Sequence, residues 1–212
     1  ARVEWARAEA AARRALARAG SESVRESAPP NRQFTLRIRA FDDGIGFRYE
    51  LPEQPGLGAF EISEELTEFA FADNARAWWI PSNFARMDRS EMLYSSGPVS
   101  LLQRVQTPLT MELEDGRTFM VIHEANLVDY AGMALQGRSE SRTLRASLAR
   151  WKDGSAVKGR TPFVTPWRTI QVADRAADLA PSVLGLNLNP PSVLERTDWI
   201  EPQKYVGIWW GM

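Results

Sequence analysis

The 212-residue sequence predicts a mainly β fold, an antiparallel β-sandwich preceded by an Ala/Arg-rich helical or disordered segment. Three observations predict it. Apolar residues alternate with polar ones over short stretches, which is the period of a strand with one buried face. Turn signals such as Asp43-Gly44 and Asp115-Gly116 separate those stretches. Only Asp174–Leu179, before Pro181, reads as a helix within the β-rich part. Many short strands divided by turns are the pattern of a sandwich or barrel.

From Arg2 to about Ser27 the chain is a long succession of Ala, Arg and Glu, which favours a helix by propensity. Only Trp5 and Leu16 add bulk to its apolar positions, so it reads as a solvated or frayed helix. No apolar core follows the positive residues, unlike a secretory signal, and Glu4, Glu9, Glu22 and Glu26 weigh against a transit peptide. Pro29 and Pro30 close the segment.

Phe34, Leu36, Ile38 and Ala40 then alternate with Thr35, Arg37 and Arg39. After Asp43-Gly44, Phe47, Tyr49 and Leu51 carry the returning strand. Further strands are expected at 59–62, 66–72, 77–80 and 99–105. Leu109, Met111 and Leu113 lead into Asp115-Gly116, and Phe119, Val121 and His123 return. Residues 144–148 and 168–172 also read as extended. The run from Tyr205 to Trp210 is different, because it is continuously apolar. That is the pattern of a parallel strand buried on both faces, which needs neighbouring strands and covering helices. The chain supplies none, so it reads as a piece of a longer protein.

Composition narrows the function. The formal net charge is -1, which argues against nucleic acid, since a phosphate binder needs an excess of Lys and Arg. There is no cysteine, so disulfides, thiolate nucleophiles and Cys-ligated zinc are excluded. No stretch reaches the roughly 20 apolar residues of a membrane-spanning helix. The eight Trp residues are many for this length, and each large ring needs a core, a partner or a sugar to pack on.

Few residues suggest chemistry by themselves. Asp42-Asp43-Gly44 lacks the further ligands of a calcium loop and reads as a hairpin turn. Glu64, Glu65 and Glu68 form an acid cluster whose plain reading is a solvated strand face. His123, the only histidine, has no partner for a dyad or a zinc site, and reads as a packed, hydrogen-bonded core residue. Trp78 and Trp79 point to opposite faces of a strand, so one lies outside the core, where packing is expected. Trp167 is expected to fill the sandwich core and Arg168 to pair with a local acid; the functional alternative is contact with a sugar or with neighbouring loops.

Five blocks, in order, resemble glycoside hydrolase family 97. The first is Arg39-Ala40-Phe41-Asp42-Asp43-Gly44-Ile45-Gly46-Phe47-Arg48-Tyr49-Glu50. Next come Glu65, Thr67, Glu68 and Phe69 with Trp79-Ile80-Pro81, then His123-Glu124-Ala125-Asn126-Leu127-Val128-Asp129-Tyr130 with Gly132-Met133. Thr165-Pro166-Trp167-Arg168-Thr169-Ile170 is the fourth, and Leu186-Asn187-Leu188-Asn189-Pro190-Pro191 through Asp198-Trp199-Ile200 to Trp209-Trp210 the fifth. Glu201 and Gln203 depart from the family around Pro202, in the expected linker.

The resemblance implies a large super-sandwich of the galactose-mutarotase type, then a (β/α)8 barrel, then a small β domain. Residues 1–33 fall outside the resemblance, 34–198 form the N-terminal β-sandwich domain, and 199–212 are the linker and first barrel strand. Barrel active sites lie at the C-terminal ends of the strands. The paired carboxylates of glycoside hydrolysis are therefore expected outside this chain, which contains no catalytic residue. The resemblance further implies a calcium-dependent enzyme acting on α-glucosides or α-galactosides. It makes Glu124 a calcium ligand reaching from the β domain, with the other protein ligands on the barrel. On its own residues, Glu124 is an ordinary strand-end glutamate. Asn126 and Asp129 could support the site, or Asp129 could simply turn the chain.

The expected role is thus an accessory domain of an α-glycosidase, inactive alone, with an α-linked oligosaccharide as the ligand of the whole and the barrel as its partner. Periplasmic or secreted placement follows only by analogy. A freestanding carbohydrate-binding module and a non-enzymatic interaction domain are the alternatives. The first predicts exposed aromatics in a cleft, the second a large apolar patch.

Overall fold

The computed structural model describes residues 20–27, 29–82, 92–138 and 140–191, with 193, 194, 196, 199–201, 203, 204, 206 and 207 beyond them. Among these the chain is mostly strand. The strands are β1 (Gly20–Arg25), β2 (Gln33–Phe41), β3 (Gly44–Leu51), β4 (Ala59–Ile62), β5 (Glu68–Ala70), β6 (Arg76–Trp79), β7 (Ser95–Pro98) and β8 (Arg104–Gln106). They continue with β9 (Leu109–Glu112), β10 (Phe119–Ala125), β11 (Met133–Gly137), β12 (Thr143–Leu148), β13 (Val157–Arg160), β14 (Phe163–Val164) and β15 (Trp167–Ala173). One short helix, α1 (Leu184–Leu188), follows.

Every pairing is antiparallel. The large sheet runs β1-β2-β3-β15-β10-β9-β6-β7, with β14 added on β3. The smaller sheet runs β5-β12-β11-β8, and β13 pairs with β4 as a separate ribbon. The inner faces of the two sheets meet in the main core. Met111, Ile122 and Ile170 from the large sheet lie against Phe69, Leu135 and Leu144 from the small one. The alternation in the sequence is what produces this: β12 reads half-buried then buried along its whole length.

The outer face of the large sheet is covered too. Leu184 and Leu188 of α1 pack there with Trp167, Ala125 and Phe41. Two glycines on β3 make room for them. A methyl on Gly46 would lie 2.5 Å from the Leu188 side chain, and one on Gly44 would meet the Ile170 carbonyl. Gly44 also takes φ +146° just after the Asp42-Asp43 turn, which only glycine adopts freely. The hairpin signal at Asp43-Gly44 therefore marks a close backbone approach as well as a turn.

Several expectations need correction. Gly20–Arg25 is a strand on the edge of β2, with Val24 opposite Phe34, not helix. An open strand edge offers backbone partners that outweigh a weak local propensity. Residues 1–19 lie outside the described residues, as do Tyr205 and Ile208 to Trp210 of the expected barrel strand; Val206 and Gly207 are in no strand. The expected strand over 99–105 is instead a 3-10 turn at Val99–Leu101 followed by β8. Its buried residues, Val99, Leu102 and Val105, recur every third position, which is turn-like spacing and not alternation. The helical reading over 174–179 survives as a 3-10 turn at Ala176–Leu179, while α1 was not anticipated.

Packing of α1 on a glycine-lined sheet is checkable. Gly46→Ala should cost about 1–3 kcal/mol through overpacking against Leu188, read as a lowered urea midpoint. An unchanged midpoint would mean that α1 does not press on the sheet as described.

Candidate functional site

Two neighbouring residues of β15 face opposite ways. Trp167 lies opposite Ala125 in the ladder and Arg168 opposite Glu124. Trp167 turns to the outer face, and Arg168 turns in between the sheets, where it is fully buried, at 0% exposure. An isolated buried guanidinium is very unfavourable, so its partners decide whether the arrangement can exist.

Those partners are complete. Arg168 Nε and Nη2 donate to the two oxygens of Glu65 at 2.8 and 2.5 Å. Its Nη1 donates to Glu124 Oε2 at 2.7 Å. Planar, two-pronged pairing of this kind is what guanidinium geometry suits. Glu65 accepts two more bonds, from the Thr67 hydroxyl at 2.8 Å and the Tyr130 hydroxyl at 2.9 Å. Thr67 spends its only proton on Glu65, so the 2.7 Å contact with Tyr49 has the tyrosine as donor. The Arg168 guanidinium also lies 5.5 Å from the centre of the Tyr130 ring.

Burial alone would push the Glu65 carboxyl up, but the Arg168 charge and the hydrogen bonds override it and hold the carboxyl below its usual range. Burial likewise favours loss of the Arg168 proton, and the two carboxylates, Glu65 foremost, reverse that and keep it firmly charged. Tyr130 and Tyr49 are pushed up by burial, Tyr49 to about 12, so both remain hydroxyl donors. Two carboxylates against one guanidinium leave the cluster with net negative charge.

Glu124 is the second acid of this cluster, its side chain 8% exposed. Its other oxygen, Oε1, accepts the Met133 backbone N–H at 3.1 Å. Each oxygen thus takes one bond and keeps a further lone pair. The β10–β11 loop begins one residue later, after Ala125. Asn126 and Asp129 hold left-handed backbone there, with φ 54° and 50°, a conformation Asn and Asp tolerate better than most residues. Both residues turn the chain there. Between them Leu127 and Val128 stand 47% and 61% exposed.

The other expected residues fall as follows. Arg168 does pair with acids. Trp167 is buried, but in the outer-face cluster under α1 and not in the core between the sheets, because alternation from Arg168 forces it outward. Arg39 and Arg48 flank its ring at 5.2 and 4.5 Å, and its Nε1 finds no partner among the described residues. His123 is half-buried with Nδ1 unpartnered among those residues, so the expected hydrogen bond at that atom is missing; burial lowers its pKa, with Glu124 pulling the other way. Trp79 packs on the main core, while the Trp78 ring lies under Arg76 at 5.2 Å. Glu65 needs the largest correction. It is 7% exposed and at the centre of the network, not on a solvated face; Glu64 is the solvent-facing one, paired with Arg145 and Arg150. Sequence reasoning also missed Tyr130 and Tyr49 as network members. Their distance in the chain from Glu65, 65 residues for Tyr130, left no local signal.

Calcium takes about six to eight oxygen ligands. Among the described residues no three or more His, Cys, Asp or Glu gather where a metal ion could sit. The donor chemistry here fits one carboxylate ligand, Glu124, and not a whole site.

The network makes stability pH-dependent. Glu65 has a lower pKa folded than unfolded, so its stabilisation is fully present above the ordinary glutamate range and is lost as pH falls through the depressed folded value. Urea midpoints should therefore fall on acidification. Glu65→Gln should cost about 3–5 kcal/mol at neutral pH and flatten the acid limb. A variant as stable as the parent chain would contradict the network.

The comparisons with known proteins agree with this architecture. The family model described as "Glycosyl-hydrolase 97 N-terminal" matches residues 9–191, beginning upstream of Phe34. A probable retaining alpha-galactosidase of Streptomyces bingchenggensis (strain BCW-1) is 28% identical over 84% of this chain and 26% of its own length. A glycoside hydrolase family 97 enzyme from Pseudoalteromonas sp. strain K8, solved in complex with acarbose, is 41% identical, with a TM-score of 0.78 over 86% of this chain and 27% of that one. A variant of that enzyme, solved in complex with panose, has the same similarity. The chain spans about a quarter of the length of these relatives. It belongs to glycoside hydrolase family 97 and corresponds to that family's N-terminal β-sandwich domain.

Proposed function

We propose that this chain is the accessory domain of a calcium-dependent α-glycosidase, in which it packs on the catalytic barrel and supplies Glu124 to the metal. The observation that carries the reading is Glu124 itself. It is the penultimate residue of β10, is gripped by Arg168 through one oxygen, and keeps lone pairs in a net negative cluster. Calcium would supply a Lewis acid there, and the barrel the remaining ligands. Glu65 and Arg168 then hold the carboxylate in place before any metal arrives, which reduces the ordering cost of binding. Exposed Leu127 and Val128, next in the chain, offer an apolar surface for the barrel to cover. The oligosaccharides bound by the Pseudoalteromonas enzyme, and the galactosidase name of the Streptomyces relative, support an α-linked sugar as the substrate class. The paired carboxylates of hydrolysis belong to the barrel in this reading.

The chain alone should therefore turn over neither p-nitrophenyl α-glucoside nor the α-galactoside, with or without calcium, at high protein concentration. Calcium-dependent turnover by the purified chain would overturn the reading.

A further inference from the structure

A groove of about 790 Å³ opens between the β4–β13 ribbon, the β10–β11 loop and the turn before β13. Its volume lies within the range of small-molecule sites. Tyr130 and Phe163 line it, their rings 6.2 Å apart and tilted by 33°. Phe60 braces Phe163 edge-on at 5.2 Å. Gly159 permits this packing, since a methyl there would lie 2.6 Å from the Phe60 ring.

Trp151 lines the groove with 68% of its surface exposed. It is held on a pinned turn. Its N–H donates to the Ser155 carbonyl at 2.8 Å, and the Gly154 N–H donates back to the Trp151 carbonyl at 3.0 Å. Asp153 accepts from both the backbone and the hydroxyl of Ser155, at 3.0 and 2.6 Å. A large aromatic ring on a rigid turn is a preorganised contact, and its exposure has no folding benefit.

The charges around the groove select the occupant. Arg150 is paired with Glu64 and Lys158 with Asp153. The Arg160 side chain has no hydrogen-bond or ion-pair partner among the described residues, and Asp129 on the same groove is opposite in sign. With every ion pair counted, Arg145, Arg150, Lys158 and Arg160 stand against Glu61, Glu64, Asp153 and Asp129, so no large net charge draws a polyanion or an anionic surface. A wholly apolar occupant would desolvate Arg160 and Asp129 without replacing their water. A neutral sugar meets both demands: its C–H face lies on the aromatic rings, and its hydroxyls accept from Arg160 and donate to Asp129.

We infer that this groove binds a neutral oligosaccharide, using Trp151 as stacking platform and Arg160 as donor. The site is additional to the proposed metal role of Glu124 and does not depend on it. Isothermal titration of the chain with panose should give saturable binding. Trp151→Ala and Arg160→Ala should each weaken it by about tenfold or more, with circular dichroism and urea midpoint unchanged. Absence of saturable binding, equal binding by both groove variants, or tighter binding of polygalacturonate would overturn the inference. A negative panose titration leaves the accessory-domain reading standing, whereas turnover by the chain alone would end that reading without touching the groove.

Discussion

A single buried guanidinium organises this domain. Arg168 is removed from water, and its desolvation is tolerable only because five donated or accepted bonds around Glu65 and Glu124 surround it. Those bonds join β15, β10, the segment before β5 and the β10–β11 loop, so one cation ties the large sheet to the edge of the small one. Buried ion pairs are weak evidence of net stability, since hydrophobic replacements often do as well. What this one does is fix register. A one-residue slip of β15 against β10 would put Arg168 under Leu184 and Leu188 and Trp167 between the sheets. Neither residue would find a partner there.

The same constraint orients Glu124. Glu124 and Ala125 are adjacent and face opposite ways, so the register that buries Trp167 against Ala125 also aims Glu124 at Arg168. The carboxylate is held by two bonds, one from Nη1 of Arg168 and one from the Met133 N–H. The loop that follows turns at once through two left-handed residues and exposes Leu127 and Val128. An oriented carboxylate beside an uncovered apolar surface is the geometry expected of a domain that completes a site built elsewhere.

Much of the fold was legible in the sequence. Alternation located β2, β3, β9, β10 and β12, and the Asp-Gly pairs located two hairpin turns. What stayed hidden was non-local. β1 forms because β2 offers an edge, against the helical propensity of its own surroundings. β11 buries Met133, Ala134 and Leu135 in succession, β13 carries only Val157 as an apolar residue, and α1 spans little more than one turn, so none shows a period. In the site, the pairing of Arg168 with an acid is legible in the sequence. Glu65 was read as solvated because charge and spacing alone cannot reveal a partner 103 residues away. Trp167 was correctly read as buried but placed in the wrong layer, since the existence of the second core depends on α1.

The proposed role places Glu124 in the first coordination sphere of a calcium ion shared with the barrel. Calcium titration of the intact parent enzyme, after chelation, measures this directly. Glu124→Gln should weaken calcium binding by about tenfold or more. Equal calcium affinity in the two proteins would contradict a ligand role for Glu124 and leave it only the structural part it plays beside Arg168.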